Sequence, residues 1–163
     1  MANAGAKSGF GAVLRDLKGA FGELFTGGKL DEQYHMPVEV AFGLIGWLAK
    51  ADSIITSHEA EFVNQLMEEL GLPTQGKAIA SAAFDRGRLR KIDVKEEAKR
   101  FLSVYPRGTV ELNRLFDTLL RLAAVDGRVF ARERVALEEL TAALGFSQET
   151  LNLRLEAIAG ANE

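Results

Sequence analysis

The stretch Leu48-Ala49-Lys50-Ala51-Asp52 occurs a second time, 74 positions later, as Leu122-Ala123-Ala124-Val125-Asp126. In both places an apolar run ends at an aspartate, and a short linker follows. A glutamate seven residues beyond each aspartate, Glu59 and Glu133, begins a second amphipathic run. This duplication predicts two related helix–loop–helix units, each of which carries one Asp and one Glu.

The rest of the chain also has the apolar spacing of helices, and no segment shows the sustained period-two alternation of strands. Glycine and proline stops divide the pattern into predicted helices over residues 37–51, 62–70, 75–87, 93–104, 109–123, 133–144 and 147–158. Asp93 and Thr109 are predicted to open their helices, and Ser147 and Thr150 are alternative or successive starts of the last one. The fold prediction is an all-α bundle of seven or eight helices, in which two middle helices join the two units.

Residues 1–36 are predicted to precede the helical domain, which spans residues 37–163. Within residues 10–25, apolar side chains fall on one stripe of a helix, opposite charged residues of both signs. The stripe consists of Phe10, Val13, Leu14, Leu17, Phe21, Leu24 and Phe25. Membrane-surface helices typically have a polar face rich in Lys and Arg, so docking on the domain or on a partner is favoured over peripheral membrane contact. Residues 27–36 are interpreted as a linker.

Composition narrows the class of protein. At 163 residues, of which 47% are apolar and 26% charged, the chain is long enough to bury one sizeable core. It has no cysteine, which excludes disulfides, thiolate nucleophiles and cysteine-ligated metals. A net charge of −3 argues against a nucleic-acid-binding protein, because phosphate binding needs a surplus of Lys and Arg. With no long apolar run and no signal-peptide pattern, the predicted location is the cytoplasm, including the inner face of the membrane if the stripe binds lipid.

The two Asp–Glu pairs are the candidate site, which consists of Asp52, Glu59, Asp126 and Glu133. The second pair resembles the end of a calcium-binding EF-hand loop. Leu122 and Ala124 stand where the first oxygen ligands belong, so a true EF-hand is excluded. If the two units pack about a pseudo-twofold axis, the four carboxylates form an oxygen-only site for Ca²⁺ or Mg²⁺. No other cofactor is predicted.

A structural role without metal is the alternative for these acids. Thr56 and Glu59 fit a capping box, but the second copy, Phe130-Ala131-Arg132-Glu133, has no cap hydroxyl. A helix dipole favours the two glutamates and disfavours the two aspartates, which therefore need either a loop hydrogen bond or a cation. The second pair lies close in sequence to Arg128, Arg132 and Arg134. Salt bridges to these arginines would weaken the case for a metal ion.

The pattern Ala-x-x-Asp-Gly-x-(hydrophobic)-x-x-x-Glu, placed around two middle helices, resembles the TerB family, named for tellurite resistance. The matching segments are Leu48-Ala49-Lys50, Ser81-Ala82-Ala83-Phe84-Asp85-Arg86-Gly87, Ala98-Lys99-Arg100-Phe101, Arg121-Leu122-Ala123-Ala124-Val125-Asp126-Gly127 and Glu133-Arg134-Val135-Ala136-Leu137. The resemblance runs from about Val38 to Ile158, and is greatest to the TerB-like region of membrane-anchored DnaJ-like co-chaperones. It implies an all-helical fold and an acidic, metal-binding surface at Asp52, Glu59, Asp126 and Glu133. The chain departs from those co-chaperones in lacking both the His-Pro-Asp tripeptide of a J-domain and a spanning segment, and Ser53 replaces the turn glycine in the first copy.

Together, these observations predict a non-enzymatic, stress-associated module that binds a protein partner and a divalent cation. The chain contains no nucleophile elbow, P-loop or dinucleotide-binding motif. One alternative is a membrane-surface adaptor that uses residues 10–25, and another is a metal-dependent hydrolase built on the acid cluster. A basic cluster between Arg86 and Arg100 alternates with acids, and is interpreted as a solvated face rather than a docking surface for an acidic partner.

Overall fold

The computed structural model describes residues 35–50, 64–65, 67–68, 71–124, 129 and 131–161, with side chains as far as Ile158. This part of the chain contains six bounded α-helices, further helical residues at positions 64, 65, 67 and 68, and no β-strand, which confirms the all-α class. The helices are α1 (His35–Ala49), α2 (Thr74–Arg88), α3 (Val94–Val104), α4 (Val110–Ala123), α5 (Ala131–Ala143) and α6 (Gln148–Ala161). None of these described helices is long and apolar enough to cross a membrane. The helix predicted within residues 10–25, and with it the predicted total of seven or eight, lies outside the described residues, as does most of both linkers of the repeat.

Helix α1 is the centre of the bundle. All but three of its fifteen residues are buried, and it packs against α2, α3, α4 and α5. Apolar side chains on every face are typical of a helix that other helices surround. Pro37 lies in the first turn, as predicted, where a missing N–H breaks no helical hydrogen bond. The one carboxylate of α1, Glu39, is at the surface, where Arg100 Nη1 donates to its Oε1 at 2.8 Å.

Helices α1 and α2 approach each other so closely that their backbones touch. A Cβ placed on Gly87 would lie 2.0 Å from the carbonyl oxygen of Gly43 and 2.8 Å from the backbone nitrogen of Trp47. Gly46 faces α2 in the same way, and its Cβ would lie 2.3 Å from the carbonyl oxygen of Phe84. All three distances are too short for a carbon atom, so positions 46 and 87 require glycine. We call this contact between α1 and α2, made by Gly43, Gly46 and Gly87, the glycine seam.

The hydrophobic core surrounds α1 and draws on every helix. Its largest fully buried side chains include one phenylalanine from each of the first four helices, namely Phe42, Phe84, Phe101 and Phe116. Helices α5 and α6 add smaller apolar side chains, namely Ala136, Leu137, Leu140, Leu151 and Ile158. The buried positions of α4, α5 and α6 recur at helical spacing, which is why the sequence pattern located these helices correctly.

Side-chain caps begin three helices at the predicted places. Asp93 caps α3 and Thr109 caps α4, in each case through a side-chain oxygen that accepts from backbone N–H groups of the first turn. For α6, the sequence left two candidate residues for the helix start, Ser147 and Thr150. Ser147 is the one that caps, because its Oγ accepts from the backbone N–H of Thr150 at 3.1 Å.

Removing the cap of α3 is expected to lower the free energy of unfolding by about 1 kcal/mol. Asp93 Oδ1 accepts from the N–H of Lys95 at 3.0 Å and from that of Glu96 at 3.3 Å, and Asp93→Ala leaves both donors to water. Asp93→Ser keeps a capping oxygen, so its loss should be clearly smaller. Urea unfolding of the two variants measures the difference, and equal losses would show that this cap does not stabilise α3.

Two glycines that the sequence repeat makes equivalent, Gly71 and Gly145, close their helices in the same way. Both have positive φ, +66° and +86°. The backbone N–H of Leu72 donates to the carbonyl oxygen of Met67 at 3.2 Å, and the N–H of Phe146 donates to the carbonyl oxygen of Thr141 at 3.0 Å. This closure belongs to the Schellman motif, which needs a left-handed residue at the glycine position.

Helix α2 ends near Gly87, as the sequence predicted, but Gly87 is not the left-handed residue that closes it. It continues through Arg88, and the left-handed conformation falls to Arg90, whose φ is +58°. An L-residue other than glycine is strained in this conformation. The Arg90 guanidinium lies 4.2 Å from the centroid of the Trp47 ring, and this cation–π contact offsets the strain. Gly87 is therefore a packing residue and not a helix stop.

Candidate functional site

Glu133 is the one predicted site residue that lies in the described part of the chain. It is in the first turn of α5, as the sequence predicted. Only 2% of the residue is exposed, which is rare for glutamate, because an ionised carboxylate loses several kcal/mol of hydration on burial. The positive end of the α5 dipole compensates part of that loss. Glu133 is therefore a core carboxylate, and the acidic surface that the family resemblance implied does not extend to it.

The other three predicted ligands, Asp52, Glu59 and Asp126, lie outside the described residues. That all four carboxylates meet is accordingly still a prediction. Among the residues that are described, no group of three or more His, Asp and Glu is close enough to hold a metal ion. Val129, the hydrophobic residue of the second linker, is half-buried and packs against the core. Val129 thus contacts the core two positions before α5 begins.

Arg134, which the sequence offered as a counter-charge for the second acid pair, has other partners. Its Nε donates to Glu138 Oε1 at 3.1 Å, and its Nη2 donates to Asn152 Oδ1. Arg132 is exposed, and Arg128 lies outside the described residues. Arg134 thus joins α5 to α6, and these contacts do not support a role in neutralising the acid pair.

Most of the basic cluster on α2 and α3 is paired within the domain. The ion pairs are Arg86–Glu39, Arg88–Asp85, Lys99–Glu96 and Arg100–Glu97. Arg100 also donates to Glu39, and this hydrogen bond raises the pKa of Arg100. Exposed pairs of this kind contribute little stability each, but they cancel much of the local positive charge. The pairing agrees with the interpretation of this region as a solvated face.

A second polar site, which sequence reasoning did not identify, lies between α4 and α6. Arg154 donates to Asp117 Oδ1 at 3.0 Å and to Asn113 Oδ1 at 2.6 Å. Its guanidinium also lies 5.2 Å and 5.1 Å from the ring centroids of Phe116 and Phe146, which stack 4.2 Å apart. Arg154 is 37 and 41 positions from its two polar partners, so only helix packing brings them together.

The family model described as tellurite resistance protein TerB matches residues 39–155. The chain belongs to the TerB family. The matched region contains α2 to α5 completely and all four carboxylates predicted from the repeat. The resemblance inferred from the repeated Asp–Glu pattern is thereby confirmed.

Curated relatives of this TerB-family chain are named co-chaperone protein DjlA. Those of Vibrio vulnificus and Aliivibrio fischeri are each 30% identical, over 117 and 132 residues, and that of Vibrio parahaemolyticus is 27% identical over 139 residues. The alignments cover 71%, 80% and 85% of this chain, but only 40%, 46% and 48% of the relatives. The chain therefore spans less than half the length of these relatives. No solved structure matches it.

Proposed function

We propose that this TerB domain is a non-enzymatic interaction module of the stress response, which binds a protein partner and holds a divalent cation through its paired Asp and Glu residues. The relatives named co-chaperones support the interaction role, because a co-chaperone acts together with another protein. This chain aligns with part of those relatives, and we propose that it too contacts a partner protein.

The burial of Glu133 is the observation that carries the cation part of the proposal. In a low-dielectric environment the attraction between a carboxylate and a cation is stronger than in water, so a buried glutamate is a suitable ligand. A set of carboxylate oxygens without nitrogen or sulfur suits Ca²⁺ or Mg²⁺. In the proposed site, Asp126 and Glu133 bind from the second unit, and Asp52 and Glu59 bind from the first.

Paramagnetic Mn²⁺ tests whether both pairs share one ion, because it accepts the same oxygen ligands as Mg²⁺. We expect the amide NMR signals of Ala131 and Ala136, near Glu133, to broaden at the same low Mn²⁺ concentration as that of Lys50, which precedes the first linker. Excess Mg²⁺ should restore all three signals. Glu133→Gln should abolish the Mn²⁺ broadening near both acid pairs, at Ala131 and Ala136 and at Lys50. Broadening near only one pair would contradict a shared site, and no selective broadening would remove the cation from the proposed function.

The apolar stripe of residues 10–25 favours a second candidate function, that of a membrane-surface adaptor. Such a stripe buries its apolar face at the boundary between headgroups and acyl chains. If the chain is an adaptor, it should co-sediment with liposomes, whereas a chain that lacks residues 1–30 should remain in the supernatant. Leu17→Asp, which places a charge in the stripe without shortening the chain, should behave as the truncated form does. If the full chain stays in the supernatant with both anionic and neutral vesicles, the adaptor function is wrong.

A further inference from the structure

The outer sides of α5 and α6 form one surface. Gln148 Nε2 donates to the carbonyl oxygen of Glu138 at 3.5 Å, and Arg134 Nη2 donates to Asn152 Oδ1. Four residues back along α5 thus correspond to four residues forward along α6, so the two helices run antiparallel, side by side. Each has an exposed stripe at helical spacing. We call these stripes together the α5–α6 face, which consists of Ala131, Val135, Glu138 and Ala142 on α5 and Glu149, Leu153 and Glu156 on α6.

Two aliphatic side chains project from this face. Val135 is 66% exposed and Leu153 is 60% exposed, the highest values among the large hydrophobic residues that the structure describes. Each directly follows one partner of the Arg134–Asn152 hydrogen bond, so they lie at nearly the same height on neighbouring helices. Apolar side chains that share one exposed surface, with polar residues around them, are typical of an interaction site.

The α6 half of the face is acidic. Glu149 and Glu156 lie one turn before and one turn after Leu153, and both are exposed. Neither glutamate belongs to any ion pair or side-chain hydrogen bond between described residues. Glu149 is in the first turn of α6, where the helix dipole favours it, but Glu156 is in the second half of the helix and has no such compensation.

The cations of α5 do not neutralise these two glutamates. Arg134 is paired with Glu138 at 3.1 Å, so their charges cancel. Two positions along a helix turn the side chain by about 200°, so Arg132 points away from α6 if Arg134 points toward it. On that far side of α5, Arg132 lies one helix face with Glu139, which interacts electrostatically with Arg90. The negative charge of Glu149 and Glu156 is therefore left to solvent or to a partner.

We propose that the α5–α6 face binds an amphipathic helix of a partner protein, in which Lys or Arg residues flank a stripe of aliphatic side chains. The aliphatic side chains pack on Val135 and Leu153, and the cations pair with Glu149 and Glu156. A second copy docked through the same face would bring like charges together. Residues 10–25 carry two Lys or Arg and two Asp or Glu, so they supply no net positive charge.

This inference rests on the interaction part of the proposed function and specifies the chemistry of the partner. It involves none of the four carboxylates of the proposed cation site. The two parts of the function can therefore fail separately.

A designed helical peptide of Leu, Ala and Lys, with Leu at i, i+3, i+4 and i+7, is the probe, and NMR of the isotope-labelled full chain is the measurement. The amide signals of Val135, Leu153 and Glu156 should shift and saturate with a Kd of about 100 μM, as expected for a small, transient interface. Potassium chloride should weaken binding through screening. A peptide of the same composition with Leu spread around the helix, and one with Glu in place of Lys, should each bind about tenfold more weakly or worse.

Two variants, each with a matched control on α3, locate the site. Leu153→Ser should weaken peptide binding about tenfold, whereas Val104→Ser, at another exposed aliphatic residue, should bind as the wild type does. Glu156→Gln should weaken binding about threefold and reduce its salt dependence, whereas Glu96→Gln should do neither. Melting curves establish that each variant is folded.

Wild-type affinity in folded Leu153→Ser would overturn the inference, and so would equally tight binding of either control peptide. The absence of saturable shifts at Val135 and Leu153 would do the same. If shifts saturate only elsewhere on the domain, this face is wrong, but the interaction part of the proposed function stands. The cation part is decided by the effect of Ca²⁺ or Mg²⁺ on melting temperature, which none of these variants should alter.

Discussion

Replacing Gly87 by alanine is expected to lower the free energy of unfolding by about 3 kcal/mol or more. The new methyl group would lie 2.0 Å from the carbonyl oxygen of Gly43, which is part of the α1 backbone. A backbone atom within a buried helix cannot move aside alone, so α1 and α2 must separate and lose packing along the glycine seam. The higher helix propensity of alanine offsets only about 1 kcal/mol of this loss. Gly46→Ala should have a similar effect, because its methyl group would lie 2.3 Å from the carbonyl oxygen of Phe84.

Gly43 provides the control for this prediction within the same seam. A Cβ at Gly43 would lie 3.7 Å from Ile92 Cδ1 and 3.8 Å from the carbonyl oxygen of Ala83, which are ordinary contact distances. Gly43→Ala is therefore expected to leave stability unchanged or to raise it by up to about 1 kcal/mol. Urea unfolding of the three variants measures the contrast. If Gly87→Ala proved as stable as Gly43→Ala, the close approach of α1 and α2 would be wrong.

The helices themselves could be predicted because their signals are local. Apolar spacing located them, and Asp93 and Thr109 marked two of their starts, since a cap depends on atoms within one helical turn. The end of α2 near Gly87 was also predicted, but the residue that closes it was not, because glycine is the usual left-handed residue, whereas here Arg90 takes that conformation and contacts Trp47 from α1. That contact is tertiary, and a single sequence does not contain it.

The glycine seam and the polar site of Arg154 between α4 and α6 were not predicted, for the same reason. Gly43 and Gly46 have the spacing of one helix face, but nothing in the sequence states that this face meets Gly87. Arg154 is far in sequence from Asn113 and Asp117, and only the packing of α6 on α4 joins them. The repeated acid pairs, by contrast, could be recognised from sequence, because duplication is visible without knowing which helices touch.

The second large effect is expected from divalent cations. If Asp52, Glu59, Asp126 and Glu133 share an ion with a Kd of about 10 μM, then 1 mM Ca²⁺ or Mg²⁺ stabilises the folded state by about 2.7 kcal/mol. The reason is that the ion binds the assembled carboxylates and not the unfolded chain. For a domain of this size, the corresponding rise in melting temperature is about 5 to 10 °C. Asp126→Asn and Glu133→Gln keep the shape of each side chain and remove its charge, so each should eliminate most of the rise.

The claim that the duplicated Asp–Glu pairs hold a cation is tested most directly by the melting temperature of the full chain with and without Ca²⁺ or Mg²⁺, beside that of Asp126→Asn. Potassium chloride at matched ionic strength controls for screening. We predict a rise in the wild type with at least one of the two ions, and little or no rise in Asp126→Asn. An unchanged wild-type melting temperature with both ions, or an equal rise in the variant, would contradict the claim.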